Sequence, residues 1–359
     1  MKGMLQNLRP KIFRWFGTAG FIVAVMFLLG RIVAGHLRGL PHFDETRMEP
    51  CSAVETFRLR KMPVPFEVGL FGSSVAVWGL IPEVVAQAMG KRPEEMRKLC
   101  VAGGTAFDMR TLLVRNPDKF EAMRVAIVEF SPRIIPASLE NDPRLDLDLS
   151  QHASLAERRR LQDKESRQIQ VAEWFLPLAS ARRPLRTAFL NVVDPDPGSP
   201  IMPEIDDPLN PLATWYVPDP SKAVFKPKNS PSPDAVAKRI IGKWRPSKLL
   251  DGALRDFLGQ LKENNVVVIM HQMPVHPDVV KAVQANPEFA KSYADYLKYV
   301  ESLGLEENHF IHTQSVTDLG IPVNGLRDHT HLNELGAKIY SRFLGEKARE
   351  VLRSRPGGR

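Results

Sequence analysis

Residues 64–74 read VPFEVGLFGSS. Residues 64–70 form a short apolar run with Pro65 near its start and Gly72 after its end, the pattern of a buried strand that runs into a turn. Beyond the turn Phe71-Gly72-Ser73-Ser74, residues 81–89 (IPEVVAQAM) have helical spacing with Pro82 in the first turn. Residues 97–102 (RKLCVA) read as a second strand ending in Gly103-Gly104, and a helix is expected over about 107–120. Residues 125–130 (VAIVEF) are apolar at nearly every position, as in a strand covered on both faces. This strand-helix alternation implies a parallel sheet, with ligands bound at the carboxyl ends of its strands.

The alternation breaks after Pro132 and resumes with a helix at about 247–263 and a strand at 266–270 (VVVIM). The intervening insert, about 133–243, is charged and helix-prone at 154–175. It then holds 11 prolines in the 39 residues 195–233, a density that excludes regular helix or central strand. A linker, a lid and a partner-docking arm all fit such a segment, and an irregular surface loop fits most simply. A final helix is expected from Leu332 to about Arg353, burying Leu335, Ile339, Phe343 and Leu344.

With 359 residues, 43% hydrophobic and 25% charged, the chain can bury a full core, and disordered, collagen-like and polytopic membrane classes are excluded. Two cysteines, Cys51 and Cys100, build no disulfide framework and lack zinc spacing, though both would be free to pair in an oxidising compartment. Residues 1–40 hold six basic residues and no acid, so of the net charge of +8 only +2 is left for the rest. No basic, aromatic-interleaved stripe for nucleic acid remains.

The basic end brackets residues 16–29 (FGTAGFIVAVMFLL), which carry no charge. Residues 13–34 are long enough to span a bilayer if Arg14 and Arg31 snorkel to the interfaces. The excess of basic residues before the run places residues 1–12 in the cytoplasm; a linker, 35–62, then leads to an exported domain, 63–359. A cleaved signal peptide with small residues at Val33-Ala34-Gly35 is the competing reading. Arg31 and the lack of an A-x-A site favour the uncleaved anchor.

The chemistry lies at the strand ends. Ser73 and Ser74 sit where a hydroxyl projects beside a helix N-terminus, although serines there also serve as plain helix caps. Near the other end stands Arg327-Asp328-His329-Thr330-His331-Leu332-Asn333. Asp and His three apart can face the same way, so Asp328 can fix the tautomer that makes His331 a base toward a serine.

Together these features resemble the SGNH/GDSL family of esterases and acyltransferases. The resemblance covers about residues 64–135 and 247–350 and implies a three-layer, flavodoxin-like parallel-sheet α/β domain. It also implies Ser74 as nucleophile, His331 as base, Asp328 as its orienting carboxylate, and the N–H groups of Ser74 and Gly103 as oxyanion donors. Gly72-Ser73-Ser74 has Ser73 where most members have Asp, as in a membrane-anchored, cell-envelope branch. Glu129-Phe130-Ser131-Pro132-Arg133 stands where the family has G-x-N-D, which removes the asparagine donor and leaves Ser131 as a substitute.

The expected activity is therefore ester hydrolysis or O-acyl transfer on a cell-envelope polysaccharide or related polymer, with no cofactor. The alternative is a non-catalytic partner that docks a membrane-bound acyltransferase through its insert. A metal reading of Asp328, His329 and His331 lacks an HExxH helix or a carboxylate cluster.

Overall fold

Five apolar residues in succession, Val68–Gly72, are all buried and form β1 of the computed structural model. The strand starts four residues later than the apolar run and extends through the turn to Gly72, since Pro65 has no N–H to donate to a ladder. The structure describes residues 65–141, 153–175, 231–306 and 309–354, with isolated positions at 21, 24, 25, 27–30, 59, 145 and 149. Cys51, most of the expected linker, the proline-rich stretch up to residue 230, and most of the expected anchor lie outside them.

Two helices, not one, follow β1: α1 (Ser74–Gly79) and α2 (Pro82–Met89). The break is local chemistry. Pro82 bars its predecessor from helical torsions, so Ile81 is extended at φ −109 and ψ 105. Then come β2 (Met96–Cys100), α3 (Ala106–Arg115), α4 (Pro117–Phe120) and β3 (Val125–Glu129). The single helix expected over 107–120 is interrupted at Asn116, again before a proline. The remaining elements are α5 (Leu155–Arg158), α6 (Lys164–Phe175), α7 (Pro233–Ile241), α8 (Lys248–Glu263), β4 (Val267–His271), α9 (Pro277–Ala285), α10 (Pro287–Glu301), β5 (Phe310–Ile311) and α11 (Glu334–Ser354).

All strand pairs are parallel, in the order β2-β1-β3-β4-β5. This is an α/β fold in the doubly wound order, whose switch point, where the chain reverses its direction across the sheet, lies between β1 and β3. Alternation sends Val68 and Leu70 into a core with α1, α2 and α11, where Leu80, Val85, Leu332, Tyr340 and Leu344 are buried. Phe71 points the other way, edge-on to Phe257 of α8 at 5.1 Å. Thus both faces are covered.

The chain divides into two compact units, one of residues 1–43 and 146–201 and the other of residues 44–145 and 202–359. In the first, α5 and α6 are tied by Arg158, fully buried, whose guanidinium donates to the Gln170 carbonyl at 3.0 Å and side chain at 2.7 Å. In the second, α7 packs on α9 and α10, so the end of the stretch expected as an insert belongs with the helices of the sheet.

Of the stripe expected on the last helix, Leu344 is buried and Ile339 and Phe343 are partly buried against the core, whereas Leu335 turns outward. Leu335 is 45% exposed, while Gly336, Ala337, Tyr340, Ser341, Leu344 and Gly345 face inward. A Cβ on Gly345 would lie 2.6 Å from both the Ala88 Cβ and the Val85 carbonyl oxygen, so α11 sits hard against α2. Among the described residues no helix is long and apolar enough to cross a membrane.

Candidate active site

β1 delivers the Ser73-Ser74 turn to the switch point. Ser73 occupies the N-cap of α1 but its hydroxyl caps nothing, and Ser74, the first helical residue, turns its hydroxyl to His331, with Oγ 3.2 Å from Nε2. Neither serine is therefore a plain helix cap. The backbone N–H groups of Ser74 and Gly103 are not taken up by any backbone acceptor among the described residues. Gly103 follows β2, in a turn closed by the Gly104 N–H on the Val101 carbonyl at 2.8 Å, and its φ of +68 is why glycine stands there. The Val101 N–H donates to the Gly72 carbonyl at 2.9 Å and ties this turn to the Ser73-Ser74 turn.

The helix carrying Ser74 has only six residues, and it is held at its far end too. Lys98 of β2 donates from Nζ to the carbonyls of Val77, at 2.5 Å, and Leu80, at 2.8 Å. The Ser341 hydroxyl of α11 accepts the Ile81 N–H at 2.9 Å, filling the gap between α1 and α2. A cation at the carbonyl end of a helix also suits its dipole.

His331 is carried by a self-contained loop. Leu326 and Leu332 bridge in antiparallel fashion, and the Arg327 N–H donates to the His331 carbonyl at 2.8 Å. Inside it, Asp328 Oδ1 accepts the N–H groups of Thr330 (2.7 Å) and His331 (2.9 Å), leaving Oδ2 to accept from His331 Nδ1 at 2.7 Å. A carboxylate at Nδ1 fixes the proton there, so Nε2 presents its lone pair to Ser74. Burial opposes the Asp328 charge, but the His331 hydrogen bond and charge and the two N–H donors outweigh it and hold the carboxyl well below the usual carboxylate range. Asn333 then caps α11, its side-chain oxygen accepting the Gly336 N–H at 3.2 Å.

His329 takes no part in this. Its ring is buried edge-on to His276 at 5.3 Å, and its carbonyl accepts the His276 N–H at 2.9 Å. Burial, then the neighbouring His276, disfavours its charged form. His271, His276 and His309 are buried as well. No group of three or more metal-type ligands occurs among the described residues.

Ser131 follows β3 with its hydroxyl and N–H against the carboxyl of Glu129, and it makes no hydrogen bond to the triad among the described residues. Glu129 was not anticipated. It is fully buried beneath the Ser73-Ser74 turn, where Oε2 accepts the Ser73 N–H at 2.9 Å. Its signal in the sequence is one acid closing a strand that is otherwise apolar throughout.

The fold and the site define an α/β protein with a serine, a histidine and an aspartate hydrogen-bonded in series at the sheet's switch point. The sequence matches no family model and no curated protein.

Proposed function

We propose that this chain is a membrane-anchored serine esterase or O-acyltransferase of SGNH type, acting on acyl groups of a cell-envelope polysaccharide. The observation that carries the reading is the relay Ser74 Oγ to His331 Nε2 at 3.2 Å and His331 Nδ1 to Asp328 Oδ2 at 2.7 Å. In this reaction Ser74 Oγ bonds to the acyl carbon while its proton passes to His331 Nε2. The N–H groups of Ser74 and Gly103 hold the oxyanion, and His331 returns the proton to the departing sugar oxygen. Water or a second hydroxyl then releases the acyl group, with His331 again taking the proton.

An anchor at residues 13–34 is supported by its described positions. They are helical and expose Phe21, Val25, Leu28 and Leu29, spaced along one stripe. Beside the membrane, a polymer-bound ester is the natural substrate class.

The missing family asparagine favours a second reading, a partner protein that keeps the fold without the reaction. A fluorophosphonate label decides between them, since only an activated serine reacts. Labelling of the wild type that is lost in Ser74→Ala, with thermal stability changed by less than about 1 kcal/mol, supports the enzyme. No labelling of the folded wild type refutes it.

A further inference from the structure

Beneath Ser74 lies a row of side chains at the carboxyl ends of three adjacent strands, and it holds a buried acid that the reaction does not use. Glu129 and His271 are register partners on β3 and β4, and both side chains are fully buried on the face covered by α1 and α11. On the other side of Glu129 stands Gly72. Where a Gly72 Cβ would be, Glu129 Oε2 is only 3.3 Å away, so the absent side chain lets the carboxyl lean across to the Ser73 N–H.

Proton positions here follow from the hydrogen bonds. The Tyr340 hydroxyl lies 3.0 Å from the Gln272 carbonyl, which can only accept, so its one proton goes there. His271 Nδ1, 2.9 Å from the same hydroxyl, must then be the donor, and Nε2 carries a bare lone pair. Neither that Nε2 nor Glu129 Oε1 has a hydrogen-bond partner among the described residues. Although they stand in neighbouring register positions, no hydrogen bond joins them, so His271 lies outside the Glu129–Ser73 contact.

The groups facing Glu129 offer no compensating cation. They are the Ser73 and Ser131 donors, Ala76 of α1, His271, Tyr296 of α10 and Tyr340 of α11. Burial drives His271 down to about 3, so it stays neutral, and burial pushes the Glu129 carboxyl up against the pull of Ser73 and Ser131. Burial of this kind favours the protonated form of a carboxyl over the charged one.

We propose that Glu129 is the positioning residue of this site: fully buried in the space left by Gly72, its Oε2 clamps the Ser73 N–H from below. It touches no substrate. Its task is to fix the turn on which Ser74 stands, and the part of the proposal that concerns rate rests on the esterase reading above.

The test compares full-length wild type, Glu129→Gln and Glu129→Ala. Glutamine keeps an oxygen for the Ser73 N–H, so it should rescue the fluorophosphonate labelling rate that alanine lowers by roughly 10²-fold through a misplaced nucleophile. Raised in the folded state, the Glu129 carboxyl favours folding at acid pH, and that contribution is lost as pH rises through its folded value. The wild type should therefore lose thermal stability toward alkaline pH more steeply than Glu129→Gln. Infrared spectra across a pH series should show a carboxylic acid carbonyl in the wild type that persists to higher pH than that of an ordinary glutamate and that Glu129→Gln lacks. Absence of that band, or glutamine as damaging as alanine to stability and labelling, overturns the proposal. If the wild type does not label at all, the esterase reading alone fails, while the infrared and melting comparisons still decide the state of Glu129.

Discussion

Replacing Gly72 with alanine separates site geometry from stability. The new Cβ would lie 2.4 Å from the Ala76 Cβ and 2.8 Å from the Glu129 Cβ. Carbon atoms in contact sit at about 3.5–4.0 Å, so the shortfall is about 1 Å. Both obstructing atoms are Cβ atoms fixed to backbone, and neither can swing aside. β3 is paired on both sides, by β1 and β4, so α1 is the element that yields, and it takes Ser74 with it. From 3.2 Å, a displacement of about 1 Å carries Ser74 Oγ out of hydrogen-bonding range of His331 Nε2. Misplacement of that size lowers rate by about 10²-fold, while overpacking lowers stability by about 1–3 kcal/mol. The control is Gly90→Ala at the end of α2: its Cβ meets nothing within 4 Å, but its φ of +75 makes alanine unfavourable by about 1–2 kcal/mol. The assay pairs thermal melts with the second-order rate of fluorophosphonate labelling. Gly72→Ala should label about 10²-fold more slowly than Gly90→Ala at comparable melting temperature. Equal labelling rates in the two variants would refute the argument that Gly72 sets the position of the nucleophile.

The remaining predictions address the base, its partner and the membrane. His331→Ala should lose activity by several orders of magnitude, as a base acting as a unit with its nucleophile does, while His329→Ala and wild type in EDTA keep their rates; equal loss at both histidines, reversed by zinc, would replace the triad with a metal site. Asp328→Asn should lower the turnover rate by on the order of 10⁴-fold, because an amide donor at Nδ1 favours the wrong tautomer. Asp328 is held low in the folded state, so its stabilising contribution is present above the ordinary aspartate value of about 3.9 and fades as pH falls below it. The asparagine variant should therefore melt with a flatter acid limb, and an unchanged limb would remove that assignment. Alkaline carbonate washing should leave the full-length chain in membranes, whereas a shorter soluble product would mean a cleaved signal peptide.

What the sequence made legible was whatever is written in runs. The all-apolar run before Glu129 gave β3, and the doubled serine after β1 with D-x-x-H before the last helix pointed to a site whose members the structure brings within hydrogen-bonding distance. What escaped is written in single residues or in space. β5 is only Phe310–Ile311, too short for any period to register. On α11 the apolar spacing found Leu344 but also pointed to Leu335, on the outside, and it missed the small inward residues Gly336, Ala337, Ser341 and Gly345, the last of which lies against α2. Glu129 escaped because the partner that matters is a backbone N–H 56 residues away, which no local pattern records.

Ser74 and His331 are separated by 257 positions. At 5–20 residues per second, a ribosome makes the nucleophile roughly 13–50 s before the base. The same final helix that follows the base supplies Ser341 at the α1–α2 junction and packs on α2 through Gly345. The imidazole and the helix that holds the α1–α2 junction are thus made after the serine. A copy that stops short of residue 331 carries the Ser74 hydroxyl without the imidazole it faces.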